Sequence, residues 1–370
     1  MRPPSPELLT TLLKEVSRSF YLTMRVLPAA IRPQIGLAYL LARTTDTIAD
    51  TEIVPVAQRL EALQALRLRI LGLGQAPLKF GALARSQNVS PEKNLLEHCE
   101  AALHDIEYDK LTDPKSIPPQ GSVAECILLE RIEEILSVPS RFSPADQQLV
   151  REVLVTIISG QELDLKRFAG SSAASIRALE TDEELDDYTY RVAGCVGEFW
   201  TKMCRVHLFP KAALDEALLI RNGIRFGKGL QLVNILRDLP TDLRNGRCYL
   251  PGPQLAAHGL VPADLLQPAN EPRFRPLYQT YLAQAEAHLA AGWDYTNALP
   301  RRCVRVRLAC AWPILIGIKT LARLRTQNVL DPQRRVKISR PEVRSLMIRS
   351  VLLYPWPSIW RGLFQRIQTS

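Results

Sequence analysis

Asp46 and Asp50 lie four residues apart in the run LARTTDTIADT (residues 41–51), among neighbours that are mostly apolar. On a helix, positions i and i+4 stack on one face, so two carboxylates held there repel each other, and more strongly where water is excluded. A second pair, Asp238 and Asp242, repeats the spacing in LQLVNILRDLPTDLRNGRCYLP (230–251). Gln231 and Asn234 precede Asp238 by seven and four residues, so two amides and a carboxylate share one helical face. The positions around them (Leu230, Leu232, Val233, Ile235, Leu236) are apolar, which points the polar stripe at an internal cavity. Two carboxylate pairs facing each other across helices would suit Mg²⁺, which keeps several waters and is shared between a few carboxylates and substrate phosphate oxygens. Arg43, one turn before Asp46, and Arg237, beside Asp238, have the bidentate geometry that phosphate recognition uses. A divalent cation between the pairs would offset their repulsion. On spacing alone, a metal–diphosphate site and a pair of solvated helix faces are equally good readings. Pro240 removes one helical hydrogen bond between Asp238 and Asp242 and can end the helix, leaving Asp242 just past it.

The elements that must position these residues are helices. Apolar residues recur at three-and-four spacing over 6–20, 35–50, 56–73, 148–165, 187–208, 223–239, 277–292 and 304–324. No alternating strand pattern separates them, so the fold class is all-α. Gly and Pro gather at about 72–93, at 111–121 and at 248–276, which read as loops. GIRFGKGL (223–230) carries three glycines but follows no strand, so close helix packing explains them better than a phosphate loop. The organisation expected is one domain over 1–340 and a basic amphipathic tail over 341–370.

Bulk properties narrow the function. The chain of 370 residues carries 47 basic and 38 acidic residues, a formal charge of +9 that suits an anionic partner. The basic residues are spread along the chain without a recognition motif, so nucleic acid is not expected as a partner. Seven cysteines without a CxxC pair read as reduced thiols. His98, Cys99 and His104 do not share a helical face and read as ordinary helix surface, not a zinc site. The N-terminal MRPPSPELL lacks the pattern of a signal peptide, and no uncharged apolar run is long enough to span a bilayer, so the cytoplasm is the expected compartment.

Four ordered stretches, SRSFYL (17–22), YLLARTTDTIAD (39–50), YTYRVAGCVGEFW (188–200) and LQLVNILRDLPTDLRNGRCYLP (230–251), resemble the squalene/phytoene synthase family. The likeness runs from roughly residue 17 to 326. It implies a single-domain isoprenoid synthase bundle around a central cavity, and head-to-head joining of two prenyl diphosphates. It further implies that Asp46, Asp50, Asp238 and Asp242 bind Mg²⁺, with Asn234 assisting. Ser17, Arg18, Ser19, Tyr39, Arg43, Gln231 and Arg237 would contact the diphosphates or the reacting head, and Phe20 would line the tunnel for a prenyl tail. Tyr188 would sit beside the developing cation, offering a π face and an oxygen that relays a proton. Tyr190 is only two residues on, so both rings cannot enter one cavity. Ionising an allylic diphosphate needs charge stabilisation from metal and arginine. The cation must then be kept from water, a task suited to Val192, Val196 and Leu232.

The C-terminal third separates branches of the family. CAWPILIGIKTL (310–321) and VKISR (336–340) are similar to stretches of the squalene-forming branch, although Ser339 stands where an arginine is usual, and Ala49 where many members have Glu. That likeness implies NADPH beside Mg²⁺, with Arg43, Arg237, Lys337 and Arg340 as cofactor contacts. The implied reaction takes two farnesyl diphosphates through presqualene diphosphate to squalene. The alternatives are dehydrosqualene or phytoene formation without NADPH, and a non-catalytic relative, against which the presence of all four aspartates speaks. No obligate protein partner is evident. The tail mixes Arg344, Arg349, Arg361 and Arg366 with Leu, Tyr, Trp and Phe, the composition of a membrane-interfacial segment or of a helix packed on the protein's own surface.

Overall fold

The computed structural model describes residues 12–16, 20–51, 54–78, 80, 123–331 and 336–368. His98, Cys99, His104, the loop at 111–121 and most of that at 72–93 lie outside the described residues. The helical periodicity is realised as α1 (Leu13–Val16), α2 (Phe20–Val26), α3 (Arg32–Asp50), α4 (Val56–Leu71), α5 (Val123–Glu130), α6 (Ile132–Ser137), α7 (Pro144–Arg167), α8 (Asp182–Thr189), α9 (Cys195–Leu208), α10 (Glu216–Arg244), α11 (Gly252–Ala257), α12 (Glu271–Ala298), α13 (Val304–Thr326), α14 (Arg340–Leu353), α15 (Pro357–Arg361) and α16 (Leu363–Gln368). The protein is all-α, as its sequence leads one to expect. Its chain divides into two compact units, one of Met1–Arg18 with Gly36–Ser143 and the other of Ser19–Ile35 with Pro144–Ser370.

In the first unit, Leu40, Leu41 and Ile48 of α3, Leu63 and Leu66 of α4, and Leu128 and Ile135 of α5 and α6 are fully or almost fully buried. Threonines are poor helix formers because their hydroxyls compete with the backbone. Here Thr44 and Thr47, both buried, donate to the carbonyls of Leu40 and Arg43 one turn back at 2.9 Å, so burial leaves no hydroxyl orphaned. α4 stops at Gly72, whose φ of 76° is the left-handed conformation that glycine adopts without strain.

In the second unit, α10 and α12 are the long central helices, of 29 and 28 residues. The glycines of 223–230 do permit close packing. A Cβ on Gly227 would lie 2.1 Å from the Ala193 carbonyl oxygen, and one on Gly223 would lie 2.9 Å from that of Gly197. Pro240 does not end α10, which runs on to Arg244 and keeps Asp242 inside it. The carbonyl of Leu236, which Pro240 cannot bond, accepts instead from the Tyr278 hydroxyl of α12 at 3.0 Å. Between α8 and α9, residues Tyr190–Gly194 form a turn of π-helix, a local widening often found at functional sites.

Two short strands, β1 (Arg177–Leu179) and β2 (Arg247–Pro251), pair in parallel inside this unit. They show no alternation in the sequence because Cys248 to Pro251 are all buried. Gly246, with φ of 77°, makes the turn from α10 into β2, where a Cβ would collide with the Ser172 backbone nitrogen at 2.3 Å. The remainder of the expected loop at 248–276 is α11, two 3₁₀ turns and the start of α12, whose first-turn Pro272 sits where no helical N–H is needed.

Candidate active site

In the first unit, one of the two carboxylate pairs lies on α3. Arg43, partly exposed, binds the carboxylate of Glu125 on α5 and lies 3.9 Å from Asp46. Burial works against its charge, but Glu125 and Asp46 outweigh it and hold the guanidinium above its ordinary pKa. The Asp46 side chain is about half exposed (47%), and Asp50 is exposed at the last residue of the helix. Tyr39, one turn before Arg43, donates to the Val16 carbonyl at 3.4 Å. Ala49, the position that departs from the family pattern, offers its carbonyl to the buried Arg59 of α4 at 2.6 Å.

In the second unit, the other pair lies on α10. Gln231 is half-buried, Asn234 is exposed, and Asp238 and Asp242 are half-buried along the same stripe. Leu232, Val233, Ile235 and Leu236 are buried at 5% exposure or less, so the apolar sides of this helix face the core and leave the stripe outside it. Arg237 forks onto Asp238, its neighbour in sequence, through Nε at 3.0 Å and Nη2. Among the described residues, no three His, Cys, Asp or Glu side chains are gathered closely enough to hold a metal by themselves.

Beside Asp242 lies a buried relay that the sequence does not show. Tyr188 of α8, 8% exposed, stacks on Tyr249 of β2 with ring centroids 4.8 Å apart and planes at 19°. Its hydroxyl donates to that of Tyr249 at 3.4 Å, and Tyr249 donates in turn to Asp164 of α7 at 2.9 Å. Arg247 approaches the same Asp164 oxygen at 4.0 Å. Burial first, then Tyr188, Asp164 and Asp242, push the Tyr249 hydroxyl well above its ordinary pKa, so it remains a proton donor. Burial also pushes the Cys248 thiol up to about 12, with Asp242 adding to it. Tyr190, across the π-turn, looks elsewhere. It bonds Glu198 at 3.3 Å and lies under Lys228.

The remaining expected site residues are dispersed. Ser17, Arg18 and Ser19 lie outside the described residues, as does the side chain of Phe20, which opens α2. Val192 packs partly buried against the core, whereas Val196 is 38% exposed. Lys337 and Arg340 are exposed where the chain enters α14, and Ser339 between them caps that helix in a reciprocal pairing with Glu342. Sequence reasoning passed over Glu125, Asp164, Arg247 and Tyr249. Glu125 and Asp164 lie in ordinary helical runs, Arg247 and Tyr249 stand at the end of the 230–251 stretch, and only their packing beside Arg43 or in the Tyr188 relay marks them.

A structure of TcSQS in complex with a ligand matches this chain with a TM-score of 0.69 at 18% identity, over 98% of both chains. The protein therefore has the all-α isoprenoid synthase fold. The squalene/phytoene synthase family model matches residues 13–119 and 120–342, and the chain belongs to that family of head-to-head prenyl synthases. It is 28% identical over 277 residues to a bifunctional lycopene cyclase/phytoene synthase of Gibberella fujikuroi, covering 74% of this chain. The chain spans only 40% of the length of that relative. It is also 28% identical over 323 residues to a presqualene diphosphate synthase of Zymomonas mobilis, over 87% of this chain and 84% of the relative.

Proposed function

We propose that this protein joins two farnesyl diphosphates head to head to presqualene diphosphate and, with NADPH as the hydride donor, carries that intermediate on to squalene. The observation that carries the reading is the α10 stripe of Gln231, Asn234, Asp238 and Asp242, ending beside the Tyr188–Tyr249–Asp164 relay. Hard oxygen donors in pairs, two per helix, fit Mg²⁺, since they leave the rest of its shell to water and phosphate oxygens. Asp46 and Asp50 on α3 would hold one such ion, and Asp238 and Asp242 with Asn234 on α10 another. When bound, Mg²⁺ would supply the charge neutralisation that makes diphosphate a leaving group.

This chain's own residues do the rest. Arg237 presents its fork at the Asp238 position, where an incoming phosphate would compete with the carboxylate for the same two N–H groups. Arg43, kept charged by Glu125, serves a diphosphate in the same way. Tyr188 is oriented by the stacked Tyr249 ring and by a hydroxyl chain that ends on a carboxylate, which fixes its oxygen toward one direction of proton transfer.

For NADPH the fit is incomplete. Lys337 and Arg340 are two exposed cations three positions apart, enough for one phosphate but not for a dinucleotide. The reductive half of the proposal rests on the likeness of 310–321 and 336–340 to the squalene-forming branch. A second reading, release of presqualene diphosphate, is favoured by the near full-length match to the Zymomonas mobilis enzyme. Extracting products from farnesyl diphosphate and Mg²⁺, with and without NADPH, tests both. Squalene formed only with NADPH supports the proposal; presqualene diphosphate that accumulates whether or not NADPH is present supports the second reading. An NADPH-indifferent conjugated triene overturns both.

A further inference from the structure

The tail is split between the core and the surface. Trp360, Leu363 and Phe364 of α15 and α16 are buried, and Trp360 stacks on Trp293 with centroids 5.4 Å apart. Trp293 donates to the Arg361 carbonyl and Trp360 to Asn297, each at 3.0 Å, so the segment is pinned. The inner face of α14 is pinned as well, where buried Ser350 accepts from Trp312 of α13 at 2.9 Å. The outer face is different. Ile348 (52% exposed), Val351 (48%), Leu352 (63%) and Trp356 (56%) lie within nine residues of one another. Single exposed apolar residues are ordinary, but four on one anchored segment form a patch that burial among the described residues has not used.

Charge says what covers it. Residues 336–368 contain six basic residues and one acid, Glu342. That acid is taken by Arg323, Lys319 and Ser339. Arg340, Arg344 and Arg349, with Pro341, Ser345 and Ile348, line a cleft of about 460 Å³ at the edge of the patch. Arg301 bonds the carbonyl of Pro355, the neighbour of Trp356, at 3.2 Å. A two-fold pairing of this face with a second copy would bring like charges together. Arginine over aliphatic side chains with a tryptophan at the margin is the arrangement that an anionic bilayer surface receives, with guanidinium at lipid phosphate and Trp at headgroup depth. No helix among the described residues is long and apolar enough to cross a membrane, so the contact is peripheral.

We propose that the outer face of α14, with Trp356 in the turn after it, docks this protein onto an anionic bilayer surface. The inference does not depend on the reaction proposed above. The test is co-sedimentation of the full chain with phosphatidylcholine vesicles, with and without phosphatidylglycerol, at low and high salt. The chain is expected to pellet with anionic vesicles at low salt and to remain in solution with neutral ones. Arg344→Gln with Arg349→Gln should weaken partitioning roughly thirtyfold, at about fivefold per surface arginine. Leu352→Ser with Trp356→Ser should abolish pelleting while the thermal unfolding midpoint stays unchanged, since these side chains are exposed. Equal partitioning into neutral and anionic vesicles, or variants that bind like the parent, would overturn the proposal. So would self-association broken by Trp356→Ser in a chain that ignores vesicles, since the occupant would then be a second copy.

Discussion

In the sequence Arg43 neighbours Asp46, but its stronger partner is Glu125, 82 residues away. The pair lies where Arg43 keeps its charge and Asp46 remains half exposed, so the two can be tested separately. Asp46→Ala should abolish turnover while leaving far-UV circular dichroism unchanged; retained turnover would remove Asp46 from the site. Tyr249 belongs to the same scale. Tyr249→Phe keeps the stack on Tyr188 but deletes the donor to Asp164. A hydrogen bond to a carboxylate is worth about 1.5–3 kcal/mol, so kcat should fall by roughly ten- to a hundredfold. On the reaction proposed above, KM should stay nearly constant, because Tyr249 would act through Tyr188 and not on the diphosphate. A change confined to KM would assign it to substrate binding instead.

At the scale of elements, α10 shows how a helix can keep a proline. The break at Pro240 is made good by Tyr278, which takes up the stranded Leu236 carbonyl. Tyr278→Phe leaves that buried carbonyl without its donor, and should cost about 1–3 kcal/mol in denaturant unfolding. The expectation that α10 ends near Pro240 failed for this reason: the compensating hydroxyl stands on another helix, 42 residues on. α14 is held by its start. Ser339→Ala should cost about 1 kcal/mol and speed amide exchange in the first turn of the helix. Glu342 is held down to about 2, first by the Ser339 hydroxyl and backbone, then by Arg323 and Lys319. A carboxyl depressed in the folded state stabilises it above the unfolded value of 4.5 and loses that contribution as pH falls toward 2. Between those values an acid titration of the parent should therefore be steeper than that of Glu342→Gln.

At the scale of the whole molecule, the tail belongs to the core of its unit. Trp360 is 1% exposed and lies between Trp293 and Tyr354. Trp360→Ala should cost about 3–5 kcal/mol, read as a lowered thermal midpoint. A variant as stable as the parent would show that α15 and α16 are not held as described. The sequence could name the tail's aromatic and basic residues but not sort them. Trp356 and Trp360 are one helical turn apart in composition-equivalent surroundings, and only the presence of Trp293 and Asn297 beneath Trp360 sends one inward and leaves the other outside.

The sequence by itself determined the helical class, the stripe on α10 and the family, because helix periodicity and i, i+4 spacing are local properties that survive in any surroundings. Tertiary structure alone decided that Glu125 steadies Arg43, that Tyr278 carries α10 through Pro240, and that Tyr188 is aimed by Tyr249 and Asp164. Tyr249 lies 61 residues from Tyr188 and 85 from Asp164. Separations of that size carry no periodic signal, and only the exclusion of water around packed helices makes such partners bind each other.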